Sequence, residues 1–148
     1  MRKQLTVGVV GVGYLGRFHA LIYSRHPDVD LVAVVDSDPQ RAQVVAAAAG
    51  CAAFTDAAEI LDKVDAVSIV VPTTAHLAVS RQFLDRGIHV LLEKPIATTV
   101  AQGVEIVAAA ERTGVILQIG HLERFNAGVM ALAERIQSPR FIEAHRMS

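Results

Sequence analysis

Leu5-Thr6-Val7-Gly8-Val9-Val10 runs straight into Gly11-Val12-Gly13-Tyr14-Leu15-Gly16, and then into Arg17-Phe18-His19-Ala20-Leu21-Ile22. The first stretch is apolar and rich in β-branched residues, as suits a strand buried on both faces. In the third stretch, with Leu15, the apolar side chains recur at Leu15, Phe18, Leu21 and Ile22, which is helical spacing. Between them lies G-x-G-x-x-G. A strand, a glycine turn and a helix in that order open a βαβ unit that cradles a pyrophosphate. Gly11 permits the tight turn, Gly13 lets the backbone approach the phosphates, and Gly16 lets the helix pack closely. Tyr14 and Leu15 complete the turn, and the N–H groups at the positive helix end face the anion. The same glycines could serve packing alone, so the next strand has to decide.

That strand, Leu31-Val32-Ala33-Val34-Val35, ends in Asp36, which lies 20 residues after Gly16. A dinucleotide site expects a ribose-binding carboxylate there. Asp36, with Ser37 beside it, would hold the 2′- and 3′-hydroxyls of an adenosine ribose. The carboxylate would repel a 2′-phosphate, and no Arg or Lys follows until Arg41. The pattern therefore favours NAD over NADP. The alternative is that Asp36 is a turn residue of Asp36-Ser37-Asp38-Pro39.

Outward from this unit, strands and helices alternate. Leu15 to Arg25 reads as the first helix, broken by His26-Pro27. Asp38 and Pro39 suit the N-cap and first position of a second helix that stops at Gly50. A short strand at Ala52 to Phe54 precedes a brief helix opened by Asp56 and Glu59, at capping-box spacing. Ala66 to Val71, His89 to Leu92 and Val115 to Ile119 read as further strands. Helices from about Ala75 to Arg86 and from Thr99 to Gly114 join them. This alternation predicts an α/β fold, a doubly wound parallel sheet of the Rossmann type.

The 148 residues fit one domain, and 52% hydrophobic against 20% charged residues gives enough apolar material for a core. The net charge of −1 has no basic stripe for nucleic acid. No apolar run approaches the ~18 residues of a membrane span. The single Cys51 excludes an internal disulfide and suits a reducing compartment, so the cytoplasm is the expected location. The six histidines are scattered, and no metal site is expected.

Glu93-Lys94-Pro95 follows the fifth strand, at the sheet edge where such folds bind ligands. On position alone Lys94 is either a solvated strand-end charge or a working group. Taken with Arg17-Phe18-His19 after the glycine turn, Val71-Pro72-Thr73-Thr74-Ala75-His76 and Gly120-His121-Leu122-Glu123-Arg124-Phe125-Asn126, the segment resembles the Gfo/Idh/MocA family of sugar and polyol dehydrogenases. The resemblance spans nearly the whole chain. It implies that Lys94 is the catalytic lysine beside the reacting carbinol. It further implies that Pro72, Thr73 and His76 form a loop over the cofactor ribose, with Glu93 and His121 near the nicotinamide. A cation beside an alcohol stabilises developing alkoxide character and passes a proton onward, which agrees with that role for Lys94. Read without the family, His76 is equally a helix-start residue, His121 a helix cap, and His19 a structural residue of the first helix. The stretch Gly120 to Asn126 most resembles members that act on nucleotide-linked amino sugars.

Family members continue into a second domain built on an open antiparallel sheet. Residues 138–148 read as its first strand, leaving residues 1–137 as the dinucleotide-binding domain. The expected function is that of the cofactor half of an NAD-dependent oxidoreductase, acting on a hydroxyl of a sugar, nucleotide sugar or polyol, in a homo-oligomer. A stand-alone dinucleotide-binding or redox-sensing module is the alternative. A different Rossmann-like protein, such as a methyltransferase, is a third, and Glu93-Lys94-Pro95 argues against it.

Overall fold

The computed structural model describes residues 4–143 and 145. Its strands are β1 (Leu5–Val10), β2 (Val29–Val35), β3 (Ala52–Phe54), β4 (Ala66–Ile69), β5 (His89–Leu92) and β6 (Leu117–Ile119). The helices are α1 (Gly16–Tyr23), α2 (Pro39–Ala49), α3 (His76–Leu84), α4 (Val100–Thr113) and α5 (Ala127–Arg135). The sheet order is β3-β2-β1-β4-β5-β6 and every pairing is parallel. The chain winds outward to β3, returns to β4 beside β1, and then winds the other way. Ligands bind outside the carboxyl ends of the strands at such a reversal.

Both faces of the sheet are covered, and adjacent strand residues divide between them. Val9 and Val34 pack with Ala20 of α1 and with Val45 and Ala46 of α2. Val10, Val35, Val67 and Ile69 pack on the other face with Phe83 and Leu84 of α3 and Ile106 of α4. This two-sided burial is why the strands read as continuous apolar runs. A buried polar residue interrupts one such run: Ser68, fully buried, sits in β4 opposite Val9 of β1.

The expected caps form. Asp38 Oδ1 accepts the N–H groups of Gln40 and Arg41, Asp56 and Glu59 complete a capping box, and Thr99 Oγ1 accepts the N–H of Gln102. Element ends are where the structure departs from sequence pattern. The first helix starts at Gly16 and stops at Tyr23, and the brief one after Asp56 is a 3₁₀ turn at Ala57–Ile60. β4 ends at Ile69 because its neighbour β1 turns away at Gly11, so only Val70 N–H still reaches Val10 O. β6 starts at Leu117 because Val90 is its partner there, while Ile116 N–H is taken by the His89 ring. Thr73–Ala75 form a 3₁₀ turn before α3.

Beyond β6 a 3₁₀ turn at Leu122–Phe125 leads into α5, whose first turn is capped by Asn126 accepting from Gly128 N–H. His121 makes no side-chain cap, so Asn126 fills the role that His121 was a candidate for. Arg140, Phe141, Ile142 and Glu143 form no strand. The rest of the expected strand at 138–148 lies partly outside the described residues.

Candidate cofactor-binding site

A cleft of about 860 Å³ opens at the carboxyl edge of the sheet, at the β1/β4 reversal. The glycine turn forms one wall. Gly11 has φ of +85°, and its N–H donates to Val35 O. A Cβ on Gly11 would lie 2.5 Å from Val70 O, and one on Gly16 would lie 1.8 Å from Gly11 O. Both positions are closed to any side chain. Gly13 is different: nothing lies within 4 Å of where its Cβ would be. Gly11 and Gly16 therefore build the turn, and Gly13 leaves room in front of it. Leu15 lines the cleft, whereas Tyr14 is turned outward, its ring edge-on to Phe18 and under the Arg17 guanidinium.

At the far end Asp36 is buried at 6% exposure. Its Oδ2 accepts Val12 N–H at 2.9 Å, which ties β2 to the glycine turn. Its Oδ1 accepts Asp38 N–H and Arg41 Nη1, both at 3.0 Å. The sequence spacing set Arg41 aside as too far along the chain. In the fold, the first turn of α2 brings its guanidinium back onto Asp36, with a weaker contact to Asp38 at 3.4 Å. Ser37 lines the cleft beside them.

Glu93 and Lys94 close the other end. They line both this cleft and a second pocket of about 650 Å³ that also contains Leu15, Gly120 and His121. Lys94 is exposed, whereas Glu93 is buried at 5% exposure. Glu93 Oε1 has no hydrogen-bond partner among the described residues, and Oε2 accepts only Lys94 N–H at 3.3 Å. His121 thus stands on the second pocket rather than in the first.

The Val71-to-His76 loop is split in its duties. Pro72 lines the cleft, while Thr73 lies outside the lining. The resemblance implies a loop with His76 over the cofactor ribose, and the structure places the His76 ring behind the cleft wall. His76 is 1% exposed. Its Nδ1 meets Pro95 O at 2.9 Å and its Nε2 meets Val71 O at 3.0 Å. An imidazole with both nitrogens against carbonyls behind the wall is a clamp between the two loops.

His19 and Ser68 are the residues that spacing alone did not place near the site. His19 Nδ1 meets Ser68 Oγ at 2.7 Å, and His19 Nε2 lies 3.5 Å from Glu93 Oε1. The available signal was Ser68 itself, a hydroxyl interrupting the run Ala66-Val67-Ser68-Ile69-Val70-Val71. A buried hydroxyl requires a partner, and α1 supplies it. Burial lowers the His19 pKa, and the Glu93 charge partly opposes that shift. Among the described residues no group of three or more His, Cys, Asp or Glu could hold a metal.

Glycine turn, buried strand-end carboxylate and strand-end lysine along one cleft define a dinucleotide-binding Rossmann domain of the oxidoreductase kind. The chain belongs to the Gfo/Idh/MocA oxidoreductase family, whose NAD-binding Rossmann fold signature matches residues 5–121. It is 37% identical over 146 residues to a UDP-N-acetylglucosamine 3-dehydrogenase of Acidithiobacillus ferrooxidans, covering 98% of this chain and 46% of that protein. It is 32% identical to an inositol 2-dehydrogenase of Rhizobium meliloti, covering 95% and 43%. The solved structure of the Acidithiobacillus enzyme superposes with a TM-score of 0.84 over 89% of this chain and 43% of that one. A scyllo-inositol dehydrogenase of Lactobacillus casei, solved with NAD(H) and scyllo-inositol, superposes with a TM-score of 0.83 at 26% identity, covering 90% and 42%. The chain spans less than half the length of these relatives.

Proposed function

We propose that this chain is the cofactor half of an NAD-dependent dehydrogenase that oxidises or reduces a hydroxyl-bearing carbon of a sugar, nucleotide sugar or polyol. The observation that carries the reading is the position of Lys94 and Glu93 on the divide between the glycine-turn cleft and the second pocket. Gly11, Gly13 and Leu15 would hold the pyrophosphate and the apolar side of the cofactor. Asp36 and Ser37 would take the adenosine ribose, with Pro72 and Thr73 on the loop across the cleft. When bound there, NAD supplies the hydride acceptor. Lys94 Nζ stabilises negative charge on the substrate oxygen and carries its proton, while Glu93 and His121 border the reacting end.

NAD is preferred over NADP because Asp36 presents a carboxylate where a 2′-phosphate would sit. Arg41 does not reverse this, since its charge is already shared with Asp36 and Asp38. The similarity to a UDP-N-acetylglucosamine dehydrogenase makes nucleotide-linked amino sugars the first substrates to try. We assign the chain to the cytoplasm on its single cysteine. No described helix is long and apolar enough to cross a membrane. The exposed apolar side chains Leu122, Phe125, Val129, Met130 and Leu132 support self-association.

Calorimetric titration with NADH, NADPH and S-adenosylmethionine tests the cofactor assignment. NADH is expected to bind tightest, and tighter binding of S-adenosylmethionine would overturn it.

A further inference from the structure

Glu93 is a buried carboxylate with one oxygen lacking a hydrogen-bond partner among the described residues. Three elements surround it. Just after β6, Gly120 N–H anchors to Leu92 O, and a Cβ at Gly120 would lie 2.7 Å from Glu93 Oε1. The missing side chain is what makes space for that oxygen. Just after β5, Glu93 N–H donates to Ile69 O, which locks the backbone of the residue to β4. From α1, His19 reaches in across the sheet edge.

His19 is itself held. Ser68 Oγ grips its Nδ1 at 2.7 Å, and Tyr23, one turn further along α1, stands edge-on to the imidazole with ring centroids 6.4 Å apart. The ring therefore has one orientation, with Nε2 toward Glu93. The 3.5 Å separation is long for a hydrogen bond, so Oε1 keeps acceptor capacity. A carboxylate oxygen at this depth without a close partner costs free energy, so the imidazole beside it is what holds the group in place.

We propose that His19 is a positioning residue for the nicotinamide end of the site. Tethered by Ser68, it holds the Glu93 carboxylate, with Oε1 packed inward against the ring and Gly120, where the residue borders both pockets beside Lys94 and the reacting end of the dinucleotide. The inference rests on the cofactor assignment above. His19 touches neither cofactor nor substrate; it acts through Glu93. An N–H at Nε2 also keeps the carboxylate from swinging toward Lys94, whose ammonium must stay free for the substrate oxygen.

The two ring nitrogens have separate amide mimics. Asn at position 19 places its amide near Nδ1 and can satisfy Ser68, but it cannot reach Glu93. Gln places its amide near Nε2 and can reach Glu93. The experiment titrates the full chain and its His19→Asn and His19→Gln variants with NADH and with ADP-ribose, which lacks the nicotinamide. Thermal melting is followed alongside. His19→Asn is expected to bind NADH about tenfold more weakly, the scale of one hydrogen bond to a charged group. Its affinity for ADP-ribose should be unchanged, and His19→Gln should bind NADH like the wild type.

Equal loss of NADH and ADP-ribose binding in His19→Asn would make the role purely structural and overturn the inference. So would a Gln variant as weak as the Asn variant, or an Asn variant that binds NADH normally. If the Asn variant melts low, the ratio of the two affinities within that variant still decides, because both ligands meet the same folded molecules. Wild-type chain that binds neither ligand would instead overturn the cofactor assignment itself. Wild-type chain that binds both equally would leave the cleft assigned and remove the role of Glu93 at the nicotinamide end.

Discussion

Asp36 has two oxygens and already serves three donors, from Val12, Asp38 and Arg41. A ribose hydroxyl must join or displace one of them, and Arg41 is the donor on a flexible stem. Asp36→Ala is expected to weaken NADH binding by about 1–3 kcal/mol, the scale of hydrogen bonds to a charged group. It should also narrow the gap to NADPH, and titration of both cofactors checks it. Arg41→Ala should act the other way on selectivity, weakening NADPH more than NADH, because it removes a cation that a 2′-phosphate would recruit. Lys94 is exposed and carries little packing. In the active dehydrogenase, Lys94→Ala should cut turnover about 10²–10⁴-fold, with melting temperature nearly unmoved; steady-state kinetics and a thermal melt separate the two. His19 adds a pH dependence. Its native pKa is depressed by burial, so the folded chain binds fewer protons than the unfolded chain below about 6.5, the ordinary imidazole value. Its contribution is complete above that pH and is lost as pH falls toward the native value. Glu93, Ser68 and Tyr23 face the ring, and Glu93 is the charge that moderates the loss. Denaturant melts from pH 7 to 5 should fall less steeply for His19→Gln than for the wild type.

Elements were legible where one residue type had one purpose. Gly11, Asp38, Asp56, Thr99 and Gly114 each mark a turn or cap, and each sits where backbone geometry demands it. Element ends were not legible, because a parallel strand stops when its neighbour turns away, as β4 does opposite Gly11. Roles that depend on distant pairing were also hidden. Nothing in Val71-Pro72-Thr73-Thr74-Ala75-His76 says that His76 faces inward to Val71 O and to Pro95 O, the latter 19 positions away in sequence. Arg41 was discounted by distance along the chain, yet one helical turn returns it to Asp36. The clamp gives a prediction at this scale. His76→Ala leaves buried carbonyls unpaired and a cavity between two loops, so it should cost about 2–4 kcal/mol of stability. Cofactor affinity should fall with it, since the Pro72 and Glu93 walls lose their connection. Chemical denaturation and NADH titration on the same sample check both effects.

Over the whole molecule, the apolar surface is uneven. Both sheet faces are sealed, yet Leu122, Phe125, Val129, Met130 and Leu132 of the 3₁₀ turn and α5 are exposed together. Sedimentation of the chain should show mass rising with concentration, and Met130→Lys with Leu132→Glu should lower it; a wild-type mass that stays monomeric at every concentration would refute self-association through this face. The strand order carries a different consequence, in time rather than space. β1 is synthesised well before β4, but it becomes a central strand only when β4 arrives, with Thr6 and Asp65 exchanging four hydrogen bonds across 59 positions. Until then the β1–β2–β3 half has an open edge where the glycine turn ends. Closing so long a loop is slow relative to local pairing. Pulse-labelled hydrogen exchange during refolding should therefore protect the amides of β2 before those of β4 and β5, and the dinucleotide cleft should be the last part of the sheet to exist.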